Sequence, residues 1–194
     1  MMEILSRRPI VVALAGPNGA GKSSFYGAFL RPSGLRFVNA DLISKELDID
    51  AYRAAQLAGE LCRKLIEQGE SFIFETVFSD PVGDKLGLLK AAELRGFTAV
   101  LFFIGIDGPG VSEERVAMRV SKGGHDVPPG KIAERYPRVM ANLGRALREL
   151  SNLRVYDNSD LKMPYRLVAT RADGHEINLH GAVPVWLRPL LKRD

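Results

Sequence analysis

Apolar positions along the chain follow two alternating rhythms: short β-branched or aromatic runs, and stripes at helical spacing. Ile10-Val11-Val12-Ala13-Leu14-Ala15 is a fully apolar run of the kind buried on both faces of a parallel sheet. Residues 35–39, Ser71-Phe72-Ile73-Phe74, residues 97–106 and residues 153–156 repeat that pattern, and 97–106 is the longest and the expected central strand. Between them Phe25, Phe29 and Leu30 recur at helical spacing, as do Ala54, Leu57, Ala58, Leu61, Cys62, Leu65 and Ile66, a stripe closed by Gly69. Helices are also expected over about 80–95, stopped by Gly96, and over 111–122. Ile132, Tyr136, Val139, Met140, Leu143, Leu147 and Leu150 make a last long stripe, with Pro137 inside it predicting a kink or a fresh helix start. Residues 165–170 and 176–179, around Asp173-Gly174, read as an antiparallel hairpin, and a short helix containing Trp186 closes the chain. Strands alternating with helices predict a three-layer α/β fold on a mostly parallel sheet. With no repeat, low-complexity tract or linker, residues 1–194 read as one domain, its hairpin and last helix at about 164–194.

The joint between the first strand and first helix carries the strongest chemical signal. Gly16-Pro17-Asn18-Gly19-Ala20-Gly21-Lys22-Ser23, with Ser24 after it, is a complete phosphate-binding loop in the strand-to-helix setting that such a loop requires. Its glycines allow backbone N–H groups to converge on an anion, and the helix adds its positive end. Lys22 would reach the β- and γ-phosphates, and the Ser23 hydroxyl would ligate Mg²⁺. The expected ligand is a nucleoside triphosphate, ATP, with Mg²⁺ as cofactor.

Composition narrows the setting. A length of 194 residues suffices for one sizeable core, and no apolar run is long enough to span a bilayer. Residues 1–8 carry two arginines with no signal-type segment after them, and the single Cys62 excludes an internal disulfide, so the cytoplasm is the expected compartment. Cys62 falls on a helix's apolar face and reads as a buried, inert thiol. The net charge of +4 favours an anionic small ligand, and no aromatic-basic stacking surface points to nucleic acid.

In open α/β sheets ligands sit at the carboxyl ends of the strands, which directs attention to the polar residues there. Asp41, just past the second strand, suits a base that takes a proton from an attacking hydroxyl, and equally suits the cap of the next helix. Glu75 ends the third strand, where it can hold metal or accept hydrogen bonds from a substrate, with the hydroxyls of Thr76 and Ser79 beside it. Asp107-Gly108-Pro109-Gly110 reads as a plain turn. Arg115, Arg119 and Arg135 flank the loop Gly123-Gly124-His125-Asp126-Val127-Pro128, an arrangement suited to an arginine-bearing lid over about 119–135 that stabilises phosphoryl charge. His125 in that loop suits either a phosphate contact or a turn cap, and Asp157-Asn158-Ser159 ends the last parallel strand.

Together these landmarks resemble the zeta-toxin-like P-loop kinases. The resemblance rests on the phosphate loop, Asn39-Ala40-Asp41, Phe74-Glu75-Thr76, Arg115-Val116 with Arg119, the Gly-Gly-His-Asp-Val-Pro element, Arg135-Tyr136 and Tyr156-Asp157-Asn158-Ser159. It is similar above all to a bacterial branch described as predicted ABC-type ATPases, although no ABC signature motif is present. The resemblance implies that Lys22 and Ser23 handle phosphate and Mg²⁺ and that Asp41 is the base. It also implies that Glu75 and Thr76 bind the acceptor and that Arg119 and Arg135 clamp phosphate. Zeta toxins phosphorylate the sugar 3′-hydroxyl of UDP-N-acetylglucosamine and are held by an antitoxin, a separate chain. The expected activity is therefore ATP-dependent phosphotransfer to a hydroxyl of a nucleotide sugar or similar polar metabolite. The alternatives are an ATP-binding regulatory protein without transfer and, third, a polynucleotide kinase.

Overall fold

The computed structural model describes residues 2–121 and 127–192. Residues 122–126, which include Gly123, Gly124, His125 and Asp126 of the Gly-Gly-His-Asp-Val-Pro element, lie outside the described residues. Chain order runs α1 (Met2–Leu5), β1 (Ile10–Ala15), α2 (Lys22–Phe25, drawn on by a π-helical turn over Tyr26–Leu30), β2 (Arg36–Val38), α3 (Ala40–Leu47) and α4 (Ala51–Glu67). It continues with β3 (Phe72–Thr76), α5 (Asp84–Leu94), β4 (Thr98–Gly105), α6 (Gly108–Val120) and α7 (Pro129–Glu149). The last elements are β5 (Leu153–Asp157), β6 (Arg166–Arg171), β7 (Asn178–Leu179) and α8 (Arg188–Leu191).

The seven strands of the described residues join one sheet in the order β2-β3-β1-β4-β5-β6-β7. Pairings from β2 through β5 are parallel, and β6 and β7 add an antiparallel edge. Successive side chains of a strand point to opposite faces, so a strand buried on both sides must be apolar throughout. β1 shows this directly. Val11, Ala13 and Ala15 enter the core built with α4, α5 and α7, whereas Ile10, Val12 and Leu14 enter the core built with α1 and α2. The mostly parallel, three-layer α/β architecture is thus the one that the alternating pattern predicts.

Three local expectations change. First, Asp107 to Gly110 is no free turn: Asp107 precedes α6 and Gly108-Pro109-Gly110 form its opening residues, where a proline's missing N–H costs nothing. Second, Pro137 does not start a fresh helix: α7 runs as one helix from Pro129 to Glu149 with the proline inside it. Ile132, Val139, Leu143 and Leu147 are buried on both sides of the proline, so packing carries the helix past the lost hydrogen bond. Third, Trp186 lies in the turn before α8 rather than inside a helix. It is nevertheless buried, donates its indole N–H to Asp157 Oδ1 at 3.1 Å, and packs against Gly105. A Cβ on Gly105 would come within 2.2 Å of the indole, so β4 needs glycine where the C-terminal segment folds back.

Candidate active site

The carboxyl ends of β1, β2 and β3 open into a cavity of about 570 Å³. Residues from the phosphate loop, the start of α3, one face of α4 and the ends of β2 and β3 line it, and Arg115, Arg119 and Arg135 close it from α6 and α7. Asn18, Gly19, Gly21, Lys22, Ser23, Ser24, Asp41, Glu75 and Thr76 all reach this one space. The remaining loop positions, Gly16, Pro17 and Ala20, are backbone of the cradle.

The loop's shape is enforced by its surroundings. Gly16 has φ of +144°, and a Cβ there would lie 2.2 Å from the Ile104 carbonyl oxygen on β4. Distant side chains hold the rest: the Ser112 hydroxyl donates to the Asn18 carbonyl, Asn158 Nδ2 to the Ala20 carbonyl at 2.9 Å, and the Tyr165 hydroxyl to the Gly21 carbonyl at 3.0 Å. Sequence reading missed Ser112 and Tyr165 and gave Asn158 no such task. The available signal was a polar residue at a strand end or in an apolar helix face, and nothing local says that it reaches back to residue 18 or 21.

Lys22 is 7% exposed and donates to the carbonyls of Gly16 at 3.0 Å and Pro17 at 3.1 Å. Burial lowers its pKa, opposed chiefly by Glu75, whose Oε1 is 3.9 Å from the ammonium, with Asp41 also raising it and Arg119 lowering it. Glu75 shows the complementary shift: burial raises its pKa, and the Lys22 charge opposes that rise. Ser23 Oγ donates to Glu75 Oε2 at 3.4 Å, and Asn39 Nδ2 donates to the same oxygen at 3.1 Å.

Asn39 also settles the two readings of Asp41. Its Oδ1 accepts from the backbone N–H groups of Asp41 at 2.8 Å and Leu42 at 3.1 Å, so Asn39, and not Asp41, caps α3. Asp41 is left in the first helical turn with its carboxylate on the cavity wall. Thr76 Oγ1 accepts from the Phe78 N–H at 3.0 Å, which folds the chain after β3 back along the cavity. Arg115 donates to the Ser159 carbonyl at 2.9 Å, and Arg119 lies one helical turn further on the same face. Arg135 is on α7, whose start is joined to α6 by the small apolar cluster Val116, Val127 and Ile132. Asp157 makes no wall of this cavity; it holds Ser159, Arg166 and Trp186. Cys62 does line the cavity, but burial pushes its thiol up to about 11, which keeps it protonated and unreactive.

A glycine-walled loop between a buried strand and a helix, with its lysine and serine facing a carboxylate across one cavity, defines a P-loop fold of the kind that binds nucleotides. The chain belongs to the zeta toxin family, whose model matches residues 3–166. Among curated proteins none matches the chain in sequence. Among solved structures, the AvrRxo1-ORF1:AvrRxo1-ORF2 complex with sulphate ions is similar, with a TM-score of 0.70 and 19% identity over 93% of this chain and 64% of that one. The AvrRxo1-ORF1:-ORF2 complex with ATP gives 0.69 and 18%, over 91% of this chain and 63% of that one. The chromosomal PezAT toxin-antitoxin system of Streptococcus pneumoniae gives 0.59 and 17%, over 78% and 69%. This chain thus spans less than two thirds of the AvrRxo1 chains that it matches. No helix among the described residues is long and apolar enough to cross a membrane.

Proposed function

We propose that the protein is a Mg²⁺- and ATP-dependent kinase that transfers the γ-phosphoryl group to a hydroxyl of a nucleotide sugar or a similar polar metabolite. The observation that carries this reading is the single cavity in which the phosphate loop, Asp41 and the paired Glu75 and Lys22 meet Arg119 and Arg135. The residues fit ATP and Mg²⁺: the Lys22 ammonium is held by loop carbonyls within reach of an incoming phosphate, and Ser23 and Glu75 form an oxygen pair suited to a hard cation. When bound, Mg²⁺ supplies charge neutralisation across the transferred phosphate.

The chain's own residues divide the remaining work. Gly16 to Ser24 cradle the triphosphate, with Lys22 following the charge that shifts onto the β–γ bridge. Arg119 and Arg135 face the γ-phosphoryl group and stabilise its equatorial oxygens, work for which a guanidinium's fixed fork is suited. Asp41, fixed in place by the Asn39 cap, takes the proton of the acceptor hydroxyl as that oxygen attacks phosphorus. Glu75 and Thr76 border the acceptor's position. Family membership, together with neighbours solved with ATP or in toxin-antitoxin complexes, supports the reading and makes a separate antitoxin chain a partner to seek.

The test is incubation with MgATP and a panel of nucleotide sugars and their parent sugars, led by UDP-N-acetylglucosamine, with products resolved by mass spectrometry. One acceptor gains a single phosphate, and Lys22→Ala abolishes the gain. Bound ATP with no transfer to any acceptor contradicts the reading.

A further inference from the structure

The family match ends at residue 166, so most of β6, all of β7, Trp186 and α8 lie beyond it. This segment folds back onto the carboxyl ends of β4 and β5, and it is seated firmly there. Leu187 is fully buried in the core shared with α7, and Val183, Leu190 and Leu191 pack against the same core. Trp186 completes the seat. Its ring packs against Gly105, the last residue of β4, with its centre 6.1 Å from that of Phe103, and its N–H is directed at Asp157, the last residue of β5.

Asp157 passes this hold onward. Its carboxylate accepts four hydrogen bonds, from Trp186, from the N–H and the hydroxyl of Ser159, and from Arg166. Trp186 and Ser159 share one oxygen, Oδ1, so the indole orients the very group that shapes the 157–159 turn. Arg166 gives its other arm to the Ala182 carbonyl at 2.6 Å, which ties the segment to the same carboxylate a second time.

The phosphate loop leans on that turn. Asn158 donates from Nδ2 to the Ala20 carbonyl at 2.9 Å and accepts from the Tyr165 N–H at 3.2 Å, while the Tyr165 hydroxyl donates to the Gly21 carbonyl. A Cβ on Gly21 would lie 2.8 Å from both Asn158 Nδ2 and the Tyr165 hydroxyl, so turn and loop are in direct contact. The Ser159 carbonyl accepts from Arg115, which lines the nucleotide cavity. Trp186 is not a wall of that cavity.

We propose that the C-terminal segment is a strap that tunes nucleotide affinity, with Trp186 as its positioning residue. Through Asp157, Trp186 sets the 157–159 turn, and through that turn the placement of the loop at Ala20 and Gly21 and of Arg115. This role rests on the phosphotransfer reading for the nucleotide alone and is independent of the acceptor's identity. Trp186 touches neither the nucleotide nor the reacting atoms.

The experiment measures binding of the non-hydrolysable analogue AMP-PNP with Mg²⁺ by calorimetry. Wild type, Trp186→Phe, Asn158→Ala and the double variant are compared, each at a temperature where its melt shows it folded. Phenylalanine keeps an aromatic ring against Gly105 and removes the N–H donor. Trp186→Phe weakens AMP-PNP about fivefold, within the usual range of coupling between separate sites. Asn158→Ala cuts the relay downstream, so adding Trp186→Phe to it costs nothing further, whereas unconnected sites add their losses. Trp186 is also the sole tryptophan of the sequence, so its emission reports on the strap without a label. That emission shifts as AMP-PNP fills wild type, with the midpoint of the calorimetric curve, and no longer shifts in Asn158→Ala. Wild-type affinity in Trp186→Phe, additive losses in the double variant, or an emission unmoved by bound AMP-PNP overturns the strap and leaves the kinase reading standing. A wild type that binds no AMP-PNP overturns both.

Discussion

Asn39 joins Asp41, the proposed base, to Glu75 with one side chain. Its carbonyl oxygen caps α3 beneath Asp41, and its amide nitrogen holds Glu75 Oε2. Asn39→Ala is therefore expected to cost about 1 kcal/mol of unfolding free energy, the usual value of a lost N-cap. Denaturant unfolding measures that loss. Transfer falls further than ATP affinity does, because the phosphate loop is pinned separately by Ser112, Asn158 and Tyr165. An alanine variant with wild-type stability and turnover would show that the Asn39 bridge has no such function.

Between elements, one hydroxyl couples the start of α6 to α7. Tyr136 donates to the Ile106 carbonyl at 2.8 Å and accepts from the Gly108 N–H at 3.0 Å, joining the arginine-bearing helices where β4 ends. Tyr136→Phe removes both of these bonds and leaves the two backbone groups only their mutual bond of 3.0 Å, so a loss of about 1 kcal/mol is expected from chemical denaturation. ATP affinity weakens with it as Arg119 and Arg135 lose their relative placement; an unchanged midpoint would refute the coupling. This scale also marks where the sequence could be read and where it could not. The phosphate loop, β1, β3, β4 and the α4 stripe were legible because local spacing encodes them. The start of α5 was not: the expected helix from residue 80 begins at Asp84, because Asn142 draws the carbonyls of Phe78 and Asp80 away from helical bonding. Asn142 is more than 60 residues away, and no local pattern announces it. The same holds for Asp41, where two capping candidates stood two residues apart and only the hydrogen bonds of Asn39 decide between them.

At the scale of the molecule, the C-terminal segment is fastened to the sheet through Asp157, which receives hydrogen bonds from Ser159, Trp186 and Arg166. Burial works to raise this carboxyl's pKa, but the hydrogen bonds outweigh it and hold the folded-state value below the ordinary 3.8. A depressed carboxyl lends its full stability above the ordinary value and loses it as pH falls through the lower folded-state value. Wild-type stability therefore drops below about pH 4, and Asp157→Asn flattens that acid limb in a series of melts against pH. An identical limb in the variant would place the acid sensitivity elsewhere. The central claim is that one cavity binds ATP and carries a separate base for transfer, and the most direct measurement compares Asp41→Asn with wild type in two readouts, ATP affinity and single-turnover transfer to the acceptor. Retained ATP affinity with transfer reduced about a hundredfold or more is the result predicted for a lost general base. Transfer at the wild-type rate, or a parallel loss of both, would contradict it.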